Sequence, residues 1–236
     1  SLAKSVVAEL INEPDHAVHR GWLGVRIQAV TDEIAESLGL DKASGALVAS
    51  VNDNGPAQGG GIQPGDVILS FDGKKVPDMR HLPRLVAAET VGKIVPVKVW
   101  RKRQEVTLQV TLGKLDETEK VAAHTPAKEK PSKSETSTVS ALGLTLSNIT
   151  PELKDKFSLS DDKGVVIVDV GKDSPASEKG LKAGDVIMEA AQEEIKSAGQ
   201  VVGKIDDAKK AGRKSILLLV ERQGDLRFVA LRLDQS

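Results

Sequence analysis

The stretch Gly61-Ile62-Gln63-Pro64-Gly65-Asp66-Val67-Ile68 organises this chain, because nearly the same pattern returns as Gly180-Leu181-Lys182-Ala183-Gly184-Asp185-Val186-Ile187. The offset between the two copies is 119 residues (180 − 61). Two further pairs keep that spacing, namely Leu23-Gly24-Val25 with Leu142-Gly143-Leu144, and Pro56-Ala57 with Pro175-Ala176. One fixed period over most of a chain indicates repetition of a structural unit, and a period of this length fits a small domain in tandem.

The repeated stretch predicts a short helix, a tight turn and a strand in each copy. Glycine ends helices and permits turns, and an Asp side chain can accept hydrogen bonds from the amides of the turn it enters. The Val-Ile pair that follows is β-branched, which favours a strand. Further short apolar runs with strand character recur in both copies, at residues 46–51 and 165–170 among others. We therefore expect a mainly β fold with short helices, arranged as two modules in tandem.

The composition is that of a globular protein with aliphatic cores. Hydrophobic residues make up 39% of the 236 residues and charged residues 28%, but aromatic residues only 2%. The absence of Cys excludes disulfides, thiolate metal sites and Cys nucleophiles. A formal net charge of −1 gives no general attraction to nucleic acid or anionic membranes. No run approaches the ~18 apolar residues of a membrane span, so we expect none.

The sequence carries no recognisable catalytic pattern. Gly-x-Ser-x-Gly, His-Glu-x-x-His, the P-loop and Gly-x-Gly-x-x-Gly are all missing, so we predict no catalytic residue, no metal site and no cofactor. His16 and His19 have a spacing that metal ligands or a general base can have. No acidic or Cys cluster accompanies them, and solvated residues are the simpler interpretation. The run Arg101-Lys102-Arg103 could contact an anion, although such a run is more often a solvated hairpin tip.

The chain changes character between the two modules, which we place at residues 20–113 and 140–236. Residues 114–139 are rich in Lys, Glu, Thr, Ser and Ala and include Pro126 and Pro131, a composition typical of a flexible linker. A linker of ~25 residues has an average span of roughly 25–30 Å. The modules would therefore reorient freely unless they dock on each other.

The candidate binding feature is the loop Leu23-Gly24-Val25, which leads into a strand and is repeated in the second module. Successive backbone N–H groups in such a loop can bind an anion, for example a C-terminal carboxylate. An open strand edge beside the loop can pair with an extended peptide. The amphipathic helix later in each module would close the groove. Taken alone, however, the loop is more simply an ordinary turn into a core strand.

In combination, these stretches resemble a known family. Trp22-Leu23-Gly24-Val25, residues 45–51, Pro56-Ala57 and residues 61–68 resemble a PDZ domain, most closely the PDZ domains of HtrA/Do-like (DegP-type) serine proteases of the bacterial periplasm. Residues 141–233 resemble the second PDZ domain of those proteins. The resemblance implies two partly open β-barrels or sandwiches. Residues 2–11 resemble the last helix of that family's protease domain, so residues 1–19 would be a helix and linker left from it.

The resemblance also implies a peptide-binding site in each module. The matching residues of the first module are Arg20, Trp22, Leu23, Gly24, Val25, Ile27, Leu82, Leu85 and Val86. Those of the second module are Leu142, Gly143, Leu144, Val201, Val202 and Ile205. The second module departs from the first by carrying Ala141 where the first has Trp22. Its groove is therefore also a candidate for intramolecular or intersubunit contacts instead of substrate.

The function that the resemblance implies is capture of C-termini or extended segments of misfolded proteins by β-strand addition, for delivery to a serine endoprotease domain. The expected partners are unfolded polypeptides and that protease domain, in the periplasm. The chain alone would be a monomer and the longer parent a homo-oligomer. Two alternatives remain open. The modules could be an assembly element that contacts other protomers, or the chain could be an enzyme with an unrecognised site.

Overall fold

The computed structural model describes residues 21–114, 136–139, 142–159 and 163–233. The first module contains β1 (Gly21–Trp22), β2 (Val25–Ala29), α1 (Asp32–Leu38), β3 (Ala46–Val51), α2 (Pro56–Gly59), β4 (Val67–Phe71), β5 (Lys74–Lys75), α3 (His81–Ala87), β6 (Ile94–Arg101), β7 (Gln104–Thr111) and β8 (Gly113–Lys114). The second contains β9 (Thr136–Val139), β10 (Leu144–Asn148), α4 (Pro151–Phe157), β11 (Val165–Val170), α5 (Pro175–Glu178), β12 (Val186–Ala190), β13 (Glu193–Glu194), α6 (Ala198–Lys210), β14 (Ser215–Arg222) and β15 (Asp225–Arg232). No helix in these described ranges is long and apolar enough to cross a membrane.

Two of the helices begin at threonine caps. The hydroxyl of Thr31 accepts a hydrogen bond from the amide of Ile34 at 3.4 Å, and that of Thr150 accepts one from the amide of Leu153 at the same distance. Both threonines thus cap the first turn of a helix, α1 and α4 respectively, by satisfying an amide that has no partner inside the helix.

The repeated turn is fixed by its buried aspartate in both modules. Asp66 accepts a hydrogen bond from the amide of Gln63 at 2.9 Å, and Asp185 accepts one from the amide of Lys182 at 3.0 Å. Arg101 donates to both carboxylate oxygens of Asp66 at 2.7 and 2.6 Å, which raises the pKa of its guanidinium above the usual value. The interpretation of Arg101 as part of a solvated hairpin tip is therefore wrong, because its charge is held by a buried carboxylate.

Each module is built around one antiparallel sheet. In the first module the strand order is β2-β3-β4-β6-β7, with β5 paired to β4 and with β1 and β8 forming a separate pair. In the second the order is β15-β14-β12-β11-β10-β9, with β13 paired to β12. The equivalent strands β2 and β10 therefore differ in one respect. Among the described residues β2 ends its sheet, whereas β10 has a further strand, β9, on its outer side.

The cores are aliphatic, as the composition indicates. The largest buried side chains of the first module include Phe71, Ile68, Leu82 and Leu112, and helix α3 covers one side of its sheet. In the second module Leu144, Leu146, Ile187 and Ile205 are among the corresponding residues, and the longer helix α6 covers the sheet.

A third apolar cluster lies between the modules. Its buried members are Ile34, Leu38, Leu47 and Val67 from the first module, and Leu217, Leu219, Phe228 and Ala230 from the second. Side chains alternate along a strand, so Phe228 on β15 belongs to this intermodule cluster while its neighbour Val229 belongs to the core of the second module. The sheet of the second module is thus covered on both faces, and the two modules dock.

Hydrogen bonds and an ion pair between the two modules lie beside the intermodule cluster. The Gln28 side chain exchanges two hydrogen bonds with the backbone of Phe228, donating to its carbonyl at 2.7 Å and accepting from its amide at 3.0 Å. The hydroxyls of Ser37 and Ser215 lie 2.7 Å apart, and Arg26 forms an ion pair with Asp225. The Gln28 pair is directional, so it fixes how β2 lies against β15.

Glu33 on α1 should make docking sensitive to acid. Its carboxylate accepts hydrogen bonds from its own backbone amide, from Lys179 at 3.1 Å and from Thr31, which lower its pKa from the ordinary 4.5 to about 2. Arg232 lies 3.4 Å away. Because the folded-state pKa is depressed, this stabilisation is complete above about pH 4.5 and is lost as the pH falls towards 2. Lys179 and Arg232 are partly exposed, so we expect a loss of about 1 kcal/mol.

The measurement is denaturant unfolding of the wild-type chain and of Glu33→Gln across that pH range. The free energy of unfolding of Glu33→Gln should already be lower than that of the wild type at pH 7. Between about pH 4.5 and 2 the variant should not show the further loss that protonation of Glu33 causes in the wild type. Parallel pH profiles for the two proteins would contradict the assignment to Glu33.

Two segments differ from the sequence predictions. Gly21 and Trp22 were not predicted as a strand, but they form β1, which pairs with Gly113 and Lys114 of β8. The final residues of the expected linker form β9. Thr136, Thr138 and Val139 are β-branched and suit a strand once a partner edge is available. The predicted helix at residues 2–11 lies outside the described residues.

Candidate peptide groove

The first groove begins at the loop that precedes β2. The carbonyl of Leu23 accepts a hydrogen bond from the amide of Ala57, and the carbonyl of Gly24 accepts one from the amide of Asn52, both at 2.9 Å. Within the described part of the chain, the N–H groups of Leu23 and Gly24 make no backbone hydrogen bond. The carbonyls are thus tied down while two successive amides stay available, an arrangement suited to a carboxylate.

Gly24 is required at this turn for a conformational reason. Its φ is +74°, and a side chain there would place a Cβ 3.3 Å from both Pro56 and the ring of Trp22. Trp22 is half-buried, and its ring lies next to Gly24 and Gly113. Trp22 therefore supports the loop from the side of the β1–β8 pair.

The candidate groove of the first module would lie between β2 and α3, whose side chains pack on the same core. Val25 and Ile27 are half-buried and pack on the core of the module, as does Leu85 of α3. Leu82 and Val86 are buried, so they form the inner part of the wall and leave Leu85 as the partly exposed member of the helix. The structure thus places the described residues of the first predicted site along one edge of the module. Arg20 lies outside the described residues.

The sequence reasoning missed Gly21, which joins the helix to the loop. Its N–H donates to the carbonyl of Glu89 at 3.2 Å, and a Cβ at this position would lie 2.5 Å from the carbonyl oxygen of Val86. The Glu89 carboxylate binds Lys93 at 2.6 Å and Lys74 at 3.0 Å, and these hydrogen bonds lower its pKa. The end of α3 is therefore held against β1, and no side chain larger than hydrogen fits between them.

The second module places its predicted residues similarly, but its edge is covered. Leu142 and Leu144 are fully buried, and Gly143 has a φ of +65°. A Cβ at Gly143 would lie 2.2 Å from the Cβ of Ser174, so this loop packs more tightly than the first. Val201 and Ile205 of α6 are buried in the core, and Val202 is half-buried.

Asn148 is a further residue that the sequence reasoning missed. Its side-chain oxygen accepts a hydrogen bond from the amide of Ala198 at 2.9 Å, which ties the start of α6 to the end of β10. The equivalent position in the first module is Ala29. The sequence offered no clear signal for this contact, because it joins residues 50 positions apart.

The described residues include no group of His, Asp or Glu arranged to hold a metal ion. His16, His19 and His124 fall outside them. His81, at the start of α3, is 3.1 Å from Asp78. The hydrogen bond from His81 holds the pKa of the Asp78 carboxyl below its ordinary value.

Comparison with known proteins assigns the family. The model of the PDZ domain family matches residues 21–112 and again residues 140–233. The chain belongs to the PDZ domain family, with two domains in tandem.

Individual proteins with similar sequences include periplasmic serine endoproteases and one solved HtrA-type protease. The chain is 40% identical over 238 aligned residues to the "Probable periplasmic serine endoprotease DegP-like" of Rhizobium meliloti (strain 1021), covering 100% of this chain and 45% of that protein. It is 39% identical over 236 residues to the protein of that name from Brucella suis biovar 1 (strain 1330), covering 100% and 43%. Among solved structures, "HtrA-type protease AlgW with decapeptide" is 41% identical, with a TM-score of 0.42, over 49% of this chain and 35% of that one. The chain spans less than half the length of the curated relatives it matches.

Proposed function

We propose that the first PDZ domain captures the C-terminus of an extended polypeptide by adding it as a strand to the outer edge of β2. The observation that carries the proposal is the combination at this edge. Among the described residues, β2 has no strand partner on that side and the amides of Leu23 and Gly24 make no backbone hydrogen bond, while apolar side chains of β2 and α3 pack on one core. Main-chain pairing would supply sequence-tolerant affinity, and the pocket would select the last side chain.

The proposal extends to the longer protein through its relatives. The curated relatives are named periplasmic serine endoproteases. By analogy, the chain would act in the periplasm and would deliver misfolded polypeptides to a protease domain of the same protein, which would perform the hydrolysis. The described residues supply binding surfaces for this task, and the catalytic residues would belong to that other domain.

The direct test is an amide-shift titration with a short peptide that ends in an apolar residue and a free carboxylate. A single shallow groove should bind with micromolar affinity, equivalent to roughly −8 kcal/mol. Shifts should concentrate at residues 23–29 and 82–86, and amidation of the peptide's C-terminus should weaken binding about tenfold or more, because charge-assisted hydrogen bonds are lost. A folded protein without shifts at this groove would refute the proposal.

Gly24→Ala should weaken this binding by about tenfold, since an L-residue with positive φ costs about 1–2 kcal/mol and the loop would relax by rotating its amides. Gly73→Ala is a matched control. Gly73 has a φ of +73° at a hairpin turn, and nothing lies within 4 Å of a Cβ there. Both variants should lose stability from the positive φ, Gly24→Ala more so because its Cβ also meets Pro56 and Trp22 at 3.3 Å, but only Gly24→Ala should lose affinity for the peptide. Equal peptide affinities for the two variants would show that the loop at Gly24 does not bind the carboxylate.

A second candidate function is assembly, and the intermodule cluster favours it. The surfaces around Leu47 and Phe228 are apolar and complementary, so a domain of one chain could pair with the other domain of a second chain. Sedimentation over a range of concentrations distinguishes the two situations. A monomer that binds peptide supports capture alone, whereas a concentration-dependent dimer abolished by Phe228→Asp supports assembly.

A further inference from the structure

The outer edge of β10 is occupied by the chain itself. β9 runs antiparallel to β10, with Val139 opposite Leu144, Thr138 opposite Thr145, Ser137 opposite Leu146 and Thr136 opposite Ser147. β9 also approaches helix α6, which forms the other wall of the second groove. The segment Thr136–Val139 therefore lies between the strand and the helix that would receive a peptide.

The burial of equivalent residues in the two modules is consistent with a covered edge at β10. Leu144 and Leu146 stand 119 residues after Val25 and Ile27 in the repeat. Val25 and Ile27 are only half-buried, whereas Leu144 and Leu146 have no exposed surface at all. In the second module both β9 and the longer helix α6 contact β10, whereas β2 has no strand on its outer side among the described residues.

The direction of β9 matches that of a captured peptide. In the capture proposed for the first domain, the peptide would run antiparallel to β2 and place its C-terminal end at the carboxylate loop. β9 runs antiparallel to β10 and places its last residue, Val139, opposite Leu144, directly after the loop Leu142-Gly143. Its backbone therefore follows the path that a ligand would take.

We propose that Thr136–Val139 is a built-in ligand of the second PDZ domain, which closes that groove until an extended polypeptide displaces it. The inference rests on the capture function proposed for the first domain. Because the segment is tethered a few residues from the groove, its effective concentration is on the order of millimolar or higher, so a free peptide must compete with it. The apparent affinity of the second groove equals its intrinsic affinity multiplied by the fraction of molecules in which β9 is unpaired.

This arrangement gives the two domains different roles. Within the described part of the chain no strand covers the edge of β2, so an exposed C-terminus can enter the first groove directly, whereas the second responds only to a polypeptide that is present at high local concentration. A substrate already held by the first domain meets that condition, because capture at one site raises its effective concentration at the other.

The test uses the whole 236-residue chain in an open form and a locked form. The open form is Ser137→Pro with Thr138→Pro, since proline cannot donate a ladder hydrogen bond. The locked form is Thr138→Cys with Thr145→Cys. Directly opposed antiparallel residues have Cα atoms about 4.5–5.5 Å apart, within the range a disulfide accepts, and the chain has no other Cys. Thr118→Pro with Glu119→Pro is the control for two prolines elsewhere between the domains.

The probe is a synthetic peptide of residues 130–139 with a free carboxylate, followed by amide shifts at each groove. At the second groove (residues 142–147 and α6), the open form should bind about tenfold or more tightly than the wild type and the control. The oxidised locked form should show no shifts there, and reduction should restore wild-type behaviour. A four-residue glycine replacement of Thr136–Val139 provides a second open form if the prolines perturb folding.

Equal binding at the second groove in the wild-type and open proteins would overturn the inference, as would an open groove that binds no peptide. Shifts at the first groove are read separately in every sample. Loss of those shifts refutes the capture proposal, while their presence with an unresponsive second groove refutes only the built-in ligand.

Discussion

Replacing Phe228 by aspartate should separate the two domains while leaving each of them folded. Phe228 is only 2% exposed, and its side chain lies in the intermodule cluster rather than in the core of its own domain. Removing a buried Phe side chain costs about 3–5 kcal/mol, and a charge in its place adds a desolvation penalty. This cost destabilises only the docked arrangement of the two domains, because undocking returns the new carboxylate to water.

The measurement is backbone ¹⁵N relaxation together with thermal unfolding. The wild type should tumble as one body and unfold in one transition, whereas Phe228→Asp should show the faster tumbling of two linked domains and two transitions. Ile94→Asp is the matched control, because Ile94 is apolar but 63% exposed, and it should change stability by no more than about 0.5 kcal/mol. Slow tumbling that persists in Phe228→Asp would show that the cluster does not hold the domains together.

Docking could not be derived from the linker composition, which predicted free reorientation. The contacts that decide it join residues 200 positions apart, as between Gln28 and Phe228, and no local pattern reports such pairs. One signal was nevertheless present. The run Ile216-Leu217-Leu218-Leu219-Val220 is apolar without alternation, which is typical of a strand covered on both faces. Only one of those faces is needed for the core of the second domain.

The elements themselves were largely predictable, because their determinants are local. The aspartate of the repeated turn and the β-branched runs act within a few residues, and the structure confirms the turn and the strands predicted from them. The threonine caps of α1 and α4 act equally locally. The candidate site was predicted as a set of positions through the family resemblance, and the roles of its residues stay predictions. β9 was missed because its four residues stand at the end of a polar, proline-containing stretch without apolar alternation, and its β-branched residues form a strand only where a sheet edge is available.

Replacing Asp185 by alanine should be among the most damaging single changes to the second domain. Asp185 is 1% exposed and accepts a hydrogen bond from the amide of Lys182. Arg222 donates to both of its carboxylate oxygens, which raises the pKa of the guanidinium. Its removal leaves a partly buried cation and a turn amide without their acceptor. Breaking one side of a buried pair typically costs 3–5 kcal/mol, and the partial exposure of Arg222 reduces our expectation to about 3 kcal/mol.

Denaturant unfolding followed by signals of the second domain measures this loss. Asp169→Ala is the control, because Asp169 is an exposed aspartate on the neighbouring strand β11, and it should fall within about 0.5 kcal/mol of the wild type. Adding Arg222→Met to Asp185→Ala should recover part of the loss, since the unpaired charge is then removed as well. Recovery should be incomplete, because the amide of Lys182 still lacks its acceptor. If the double variant were no more stable than Asp185→Ala, the hydrogen bond to the turn would be the main contribution of Asp185, and the ion pair would add little.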